Sequence, residues 1–232
     1  MKKYISIFLS AVLSGFCITF GATCYLMCLS IGKGGNADLL KVVGSFMFGI
    51  GLFTIIHFGF WLYTGKVGYL FNNKPNYLID LLICFAGNVV GSVVLSFLIS
   101  LTGQGDALRN VASPLVEAKI DSTWYSIFIM SLMCGAMINL AVEGHKVSSY
   151  PLGKVLFAFM PIALFILAGF EHVVANVTYF MYAKYFSWKA LGYFVLMFLG
   201  NGLGSIIFYE LIKLVKKLES SKNNESNDNK LN

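Results

Sequence analysis

Six long apolar runs are the feature that most limits what this 232-residue chain can fold into. A helix of about 20 apolar residues crosses a bilayer, and each run reaches that length. Only 12% of the residues are charged, about half of the share usual in a soluble domain. The sequence therefore predicts an all-α integral membrane protein with six transmembrane helices. The runs cover about residues 4–31, 39–71, 77–101, 123–142, 151–182 and 188–215.

The basic residues lie near the ends of these runs, so membrane topology explains the net charge of +6 better than nucleic-acid binding does. With the N-terminus inside, the inner segments contain Lys2, Lys3, Lys66, Lys74, Lys146, Lys154, Lys213, Lys216 and Lys217. The outer loops contain Lys33, Arg109, Lys119, Lys184 and Lys189. This bias predicts that both termini are cytoplasmic. The apolar runs predict a channel domain over residues 1–217. The polar, low-complexity segment after them predicts a disordered cytoplasmic tail over residues 218–232.

An internal repeat divides the membrane part into two halves. Residues 85–95 and 198–208 share the pattern F-x-G-N-x-x-G-S, and both lie in the last run of a three-run half. Because three spans are an odd number, the two halves insert in opposite directions, which is an inverted repeat. The second and fifth runs are too long for one span, and we expect both helices to be broken. The breaks are predicted at residues 169–172 and near residues 60–66.

Broken helices at membrane depth are tolerated where the backbone lines a cavity or is buried in protein. Their free N–H groups carry partial positive charge and suit an anion. The breaks thus predict an aquaporin-like pore for a small, anionic solute. Water channels carry paired Asn-Pro-Ala motifs, which this sequence lacks, and a channel for water or small neutral solutes is kept as the alternative.

An enzyme is disfavoured. Glu171 and His172 do not form the H-E-x-x-H zinc pattern, and the five cysteines do not have zinc-site spacing. No nucleophile, base and orienting group stand together in the sequence. We expect no metal and no cofactor.

Several blocks together resemble the formate/nitrite transporter family over about residues 14–215. They are G-F-E-H-V-V-A-N (169–176), L-Y-T-G-K (62–66), G-N-V-V-G (87–91), V-E-A-K (116–119) and G-N-G-L-G (200–204). The resemblance implies a homopentamer in the cytoplasmic membrane with one pore in each protomer. It implies passage of formate, nitrite or hydrosulfide, and the compact loops favour the hydrosulfide branch.

The resemblance also implies roles for single residues. His172 corresponds to the central pore histidine, Thr64 to the threonine that faces it, and Lys119 to the lysine of the outer vestibule. The inner constriction is expected from Leu52, Leu62 and Phe165, and the outer one from Phe48, Tyr63 and Ile138. Glu171 and Asn176 are expected to hold the fifth-helix break in shape. The repeated Asn88 and Asn201 are expected to bond the opposite broken segment, since an unpaired buried amide is costly.

Two positions depart from the family pattern. Tyr63 stands where phenylalanine is usual, and Gly135 stands where many members have an asparagine near the central histidine. A tyrosine would add a hydrogen-bond donor to the outer constriction. Glycine would remove a donor from the pore and widen it.

The predicted mechanism centres on His172. Burial favours the neutral imidazole, which can donate one hydrogen bond to a passing anion. Lys119 would concentrate the anion at the outer mouth. A proton, from His172 or from water, would let the anion cross the apolar ring as a neutral acid. Each of these residues also has an alternative role. His172 could be a core histidine that bonds the backbone, Thr64 a helix cap, and Lys119 a solvated loop charge. Glu171 could be an acid–base group or a structural carboxylate.

Overall fold

The computed structural model describes the backbone of residues 1–231 and the side chains of residues 1–221. Within residues 1–231 the chain is helical without any strand. The helices are α1 (Lys2–Gly32), α2 (Ala37–Phe58), α3 (Tyr63–Lys66), a 3₁₀ helix (Val67–Asn72), α4 (Tyr77–Ser100), α5 (Gly105–Asp121), α6 (Trp124–Val147), α7 (Pro151–Leu167), α8 (Val173–Ala183) and α9 (Trp188–Leu231). Helix α9 continues to Leu231 and so runs through almost all of the segment (218–232) that the sequence predicts to be a disordered tail. The side chains of residues 222–232 lie outside the described part of the chain.

Several helices are suited to a bilayer. Among the described residues, α1, α2, α4, α6 and α9 are each long and apolar enough to cross a membrane, and α7 and α8 are shorter apolar helices. Large apolar side chains such as Leu9, Leu82 and Leu199 are exposed on the outside of the bundle. Together with the low share of charged residues, this indicates a multi-pass membrane protein.

Two polar contacts define the sides of the bundle. Lys3 Nζ lies 2.6 Å from Asp80 Oδ2 and joins the start of α1 to the start of α4. Lys213 Nζ donates a hydrogen bond to Asn72 and joins α9 to the 3₁₀ helix. We call this end of the bundle the lysine-rich side. The other end, where α1 is followed by α2 and α5 ends, is called the opposite side.

Glycines allow α1 to cross α4, and α6 to cross α9, in close contact. A Cβ atom on Gly15 would lie 2.4 Å from the carbonyl oxygen of Asn88, and one on Gly135 would lie 2.1 Å from that of Asn201. Small residues are what such close membrane crossings require. The interpretation of Gly135 as a pore position is therefore wrong, because its Cα–H faces α9. The sequence pattern does not tell which face of α6 this glycine occupies.

Both overlong runs are interrupted. Helix α2 ends before Gly59, which has a left-handed φ of 70°, and α3 begins at Tyr63. Helix α7 ends at Leu167, Gly169 has a left-handed φ of 73°, and α8 begins at Val173. Glycine adopts such φ values without the steric penalty that a side chain brings. Each interruption leaves a few extended residues inside the bundle.

Helix α5 lies in a segment that was expected to be an outer loop, and that expectation is wrong. This helix packs against α8 and α1. Its buried residues are Leu108, Val111, Ala112, Val116 and Ile120. Their spacing of three to four residues is that of an amphipathic helix, and this signal was present in the sequence. The helix matters for function because it carries Lys119 into the interior.

Candidate functional site

The two interruptions bring His172 and Thr64 together. His172 is the N-cap of α8, and Thr64 lies in the short helix α3. The imidazole Nε2 and the hydroxyl Oγ1 are 2.9 Å apart, although the residues are 108 positions apart in the chain. Both residues are buried, with 2% and 0% of their surface exposed. This is the arrangement that the family resemblance implies for the two residues.

The other imidazole nitrogen shows which tautomer fits. The backbone N–H of Ala175 donates to His172 Nδ1 over 3.1 Å. A backbone N–H can only donate, so Nδ1 must be unprotonated, and a neutral imidazole then carries its proton on Nε2. His172 therefore directs an N–H donor at Thr64 Oγ1, or at a solute that takes the place of that hydroxyl. A proton added at Nδ1 would break the cap of α8.

Asn201 holds the second interruption. Its Oδ1 accepts from the backbone N–H of Val173 over 2.8 Å. Its Nδ2 donates to the carbonyl oxygens of Glu171 and Ser131, each over 2.7 Å. The side-chain amide of Asn201 thus holds the backbone on both sides of His172 and connects this segment to α6.

Asn88 makes the same set of bonds at the first interruption. Its Oδ1 accepts from the backbone N–H of Tyr63, and its Nδ2 donates to the carbonyls of Trp61 and Ala11, each over 2.9 Å. Each asparagine therefore bonds the broken segment of its own half. The expectation that each would bond the opposite segment is wrong, because the last helix of each half runs beside that half's own break.

A buried ion pair lies next to His172. Lys119 Nζ is 2.7 Å and 2.6 Å from the two carboxylate oxygens of Glu171. Only 16% of the Lys119 side chain and 6% of the Glu171 side chain are exposed, so Lys119 is not a solvated loop charge. Asn176 Nδ2 donates to Glu171 Oε2 and to the carbonyl oxygen of His172. The lysine–glutamate contact was not predicted, and no sequence signal links residues 52 positions apart without knowledge of α5.

Two small cavities flank the pair formed by His172 and Thr64. The outer chamber, on the opposite side, has a volume of about 80 Å³ and is lined by His172, Lys119, Asn176, Tyr179, Tyr25 and Phe165 among others. The inner chamber, on the lysine-rich side, has a volume of about 90 Å³ and is lined by Leu52, Leu62, Lys66, Lys146 and Val142 among others. Each volume corresponds to a few water molecules.

The residues predicted for the two constrictions lie in different parts of the site. Leu52 and Leu62 line the inner chamber. Phe165 lines the outer chamber instead, and its ring centre is 5.9 Å from that of Phe48 and 5.9 Å from that of His172. Phe165 therefore lies beside His172 and apart from the chamber that the two leucines line. Phe165 lies near the end of α7 that meets the break, level with His172.

Tyr63 and Ile138 line neither chamber. The Tyr63 ring stacks on Phe198 with ring centres 4.4 Å apart, and its hydroxyl donates to the Phe198 carbonyl oxygen over 3.0 Å. Tyr63 thus packs against α4 and α9 rather than at the outer constriction. Ile138 is buried in the core. Consecutive residues at a helix start point in different directions, so Leu62 and Thr64 can line the site while Tyr63 does not.

Comparison with known proteins places this geometry in a family. The family model described as "Formate/nitrite transporter" matches residues 1–215. The chain is 27% identical over 180 residues to the "Formate channel FocA" of Haemophilus influenzae, covering 73% of this chain and 63% of that protein. It is 28% identical over 186 residues to the "Formate channel FocB" of Escherichia coli, covering 76% and 66%. It is 27% identical over 193 residues to the "Uncharacterized transporter YrhG" of Bacillus subtilis, covering 77% and 72%.

Two solved structures share the fold. A "Pentameric formate channel with formate bound" superimposes with a TM-score of 0.75 at 22% identity, covering 95% of this chain and 98% of that one. An "FNT family ion channel" gives a TM-score of 0.74 at 22% identity, covering 92% and 89%. The relatives are named as channels and transporters rather than as enzymes. From the family match over residues 1–215, together with this fold, the chain belongs to the formate/nitrite transporter family.

Proposed function

We propose that this protein is a channel for small monovalent anions of weak acids, namely formate, nitrite or hydrosulfide. The observation that carries the proposal is the pair formed by His172 and Thr64 between two chambers. The two side chains are buried and in hydrogen-bonding contact, and the chambers on either side also have apolar residues on their walls, among them Phe165 in one and Leu52 and Leu62 in the other. Formate has direct support from relatives named as formate channels. Nitrite and hydrosulfide rest on their similar size and charge.

We propose that the pore is built from two inverted repeats of three membrane helices, with the second and fifth helices broken. Matched features of the two halves support this. Gly59 and Gly169 both have left-handed φ angles, and Asn88 and Asn201 make corresponding sets of hydrogen bonds. The pentameric relative supports a homopentamer with one pore per protomer.

The proposed path starts in the outer chamber. The ammonium group of Lys119 lies beside Glu171 and helps to hold an anion near His172. The Nε2–H of His172 then donates to the anion in place of the Thr64 hydroxyl. Leu52 and Leu62 form an apolar ring that an anion crosses only at a high desolvation cost. A protonated, neutral acid crosses the same ring far more easily.

Water is the proposed source of that proton. His172 Nδ1 already accepts a backbone hydrogen bond from Ala175, and the cap bond would be lost if the imidazole took up a proton there. A neutral imidazole can therefore bind and orient the solute without changing its own charge. Proton uptake with the anion makes transport faster at lower pH.

The lysine-rich side is proposed to face the cytoplasm, because basic residues are retained on that side of a membrane. The protein is proposed to lie in the cytoplasmic membrane with both termini inside.

Flux into proteoliposomes tests the proposal. Formate uptake should rise as the pH falls, and His172→Ala should lower it at least about tenfold, since one hydrogen bond to a charged solute is worth about 1.5–3 kcal/mol. His145→Ala is the matched control, because His145 bonds the Lys154 carbonyl and lines neither chamber. If His172→Ala transports formate like the control, the proposed site is wrong. If water or glycerol passes as readily as formate, the alternative of a neutral-solute channel is correct.

A further inference from the structure

The two chambers differ in charge. In the outer chamber the ammonium of Lys119 is neutralised by Glu171, with which it makes contacts of 2.6 and 2.7 Å. In the inner chamber two lysines, Lys66 and Lys146, line one cavity of about 90 Å³. Two cations on the wall of such a small space repel each other unless anions balance them.

Lys146 has its balancing charge on the protein. Its Nζ lies 3.0 Å from Glu143 Oε1 and also donates to the hydroxyl of Tyr69. Tyr69 in turn donates to Glu143. These three side chains contact one another, Lys146 being the one that lines the inner chamber, and the lysine–glutamate pair is neutral overall.

Lys66 has no such partner among the residues whose side chains are described (1–221). No carboxylate in that part of the chain lies within ion-pair distance of its Nζ, which instead lies 5.4 Å from the centre of the Trp61 ring. The residue is half-buried. An aromatic face attracts a cation but does not neutralise it. Lys66 therefore leaves the inner chamber with an unbalanced positive charge.

The position of Lys66 makes this charge relevant to transport. Lys66 follows Thr64 by two residues in α3, and Leu62 lies on the wall of the same chamber. An anion bound by Lys66 would lie directly below the apolar ring and the pair formed by Thr64 and His172.

We propose that the inner chamber is an anion-binding site in which Lys66 receives the small monovalent anion on the lysine-rich side. The proposal rests on the proposed function and extends it, because it makes the two ends of the path unequal. Anions bind more tightly at the inner end, where a net positive charge faces them. At the outer end the neutral pair of Lys119 and Glu171 gives a weaker attraction.

Uptake measured separately from each side tests this site. Inside-out membrane vesicles present the lysine-rich side to added formate, if that side is cytoplasmic, and right-side-out vesicles present the opposite side. Lys66→Gln should raise the half-saturating formate concentration on the lysine-rich side about tenfold, a modest part of the attraction between unit charges in contact. The value on the opposite side should change less than about twofold. Lys66→Arg should keep the wild-type value because it keeps the charge.

Lys154→Gln is the matched control. Lys154 is an exposed lysine near the start of α7 and does not line the inner chamber. Its loss removes the same charge from the same side of the protein. Added salt should reduce part of the difference between wild type and Lys66→Gln, since dissolved ions screen the charge of a half-buried lysine less than that of an exposed one.

The outcomes separate the two proposals. If wild-type vesicles do not transport formate, nitrite or hydrosulfide, the proposed function itself is wrong. If the wild type transports formate and Lys66→Gln behaves like Lys154→Gln, the function stands and the inner site is wrong. An equal loss of uptake from both sides in Lys66→Gln, not restored in Lys66→Arg, would also overturn the site and make Lys66 a structural residue.

Discussion

The replacement Asn201→Ala probes how the broken fifth helix is held. The amide of Asn201 makes three hydrogen bonds, to the Val173 N–H and to the carbonyl oxygens of Glu171 and Ser131, over 2.7–2.8 Å. Alanine leaves all three backbone groups without this partner in a site with no exposed surface. Hydrogen bonds between membrane helices are worth about 0.6 kcal/mol on average and up to about 1.7 kcal/mol. Three of them predict a loss of about 2–5 kcal/mol.

Asn139→Ala is the matched control. Asn139 is the same residue type and equally buried, but its amide makes a single long hydrogen bond, 3.4 Å to Ser205 Oγ, and its Oδ1 has no partner in the described part of the chain. The expected loss is about 0.5 kcal/mol. Both variants can be compared with the wild type in detergent, by unfolding that is monitored with circular dichroism and by formate uptake after reconstitution.

Two results would refute this reasoning. One is a loss of stability in Asn201→Ala that does not exceed the loss in Asn139→Ala. The other is a large loss of stability with full formate uptake, because His172 would then keep its place without the amide. In either case the bonds at the break would not be what positions the imidazole.

Three further predictions concern packing and charge. Gly135→Ala should lower the stability by about 1–3 kcal/mol because its Cβ would clash with α9. Gly192→Ala is the control within a helix: its Cβ would meet open space, and alanine favours a helix over glycine, so this change should not lower the unfolding temperature. Equal losses of stability in the two variants would contradict the close crossing. Lys119→Met should lower the free energy of unfolding by about 3 kcal/mol, because the buried carboxylate of Glu171 loses its partner. Adding Glu171→Gln should recover part of this loss in the same unfolding assay. If the double variant recovers nothing, the ion pair does not explain the loss. Tyr63→Phe should lower the free energy of unfolding by about 1 kcal/mol, because the hydrogen bond to the Phe198 carbonyl is lost. It should leave the preference among formate, nitrite and hydrosulfide unchanged. A changed preference in competitive uptake would show that Tyr63 contacts the transported anion.

Much of the membrane architecture follows from patterns that are local in the sequence. The apolar runs indicate the long helices, and the glycines at 59 and 169 come where the two overlong runs are interrupted. The meeting of His172 and Thr64 was also predicted, but through resemblance to a family. Composition and spacing alone do not bring together two residues that are 108 positions apart.

Other features depend on which way a side chain points, and sequence patterns give this poorly. Tyr63 stands between Leu62 and Thr64, which belong to the site, yet its ring turns toward α9, and the Cα of Gly135 also faces α9. The position of Phe165 beside His172 depends on where α7 ends, which apolar periodicity does not show. A search for amphipathic spacing would have found α5, and with it the route by which Lys119 reaches Glu171.

Competitive uptake in one proteoliposome preparation tests the central claim most directly. Formate, nitrite, hydrosulfide and a neutral solute such as glycerol are supplied to the wild type and to His172→Ala at two pH values. We expect the wild type to take up one or more of the anions in strong preference to glycerol, faster at the lower pH, and His172→Ala to lose that uptake. Uptake of glycerol at the same rate as the anions, or full anion uptake without the imidazole, would contradict a path for weak-acid anions past His172.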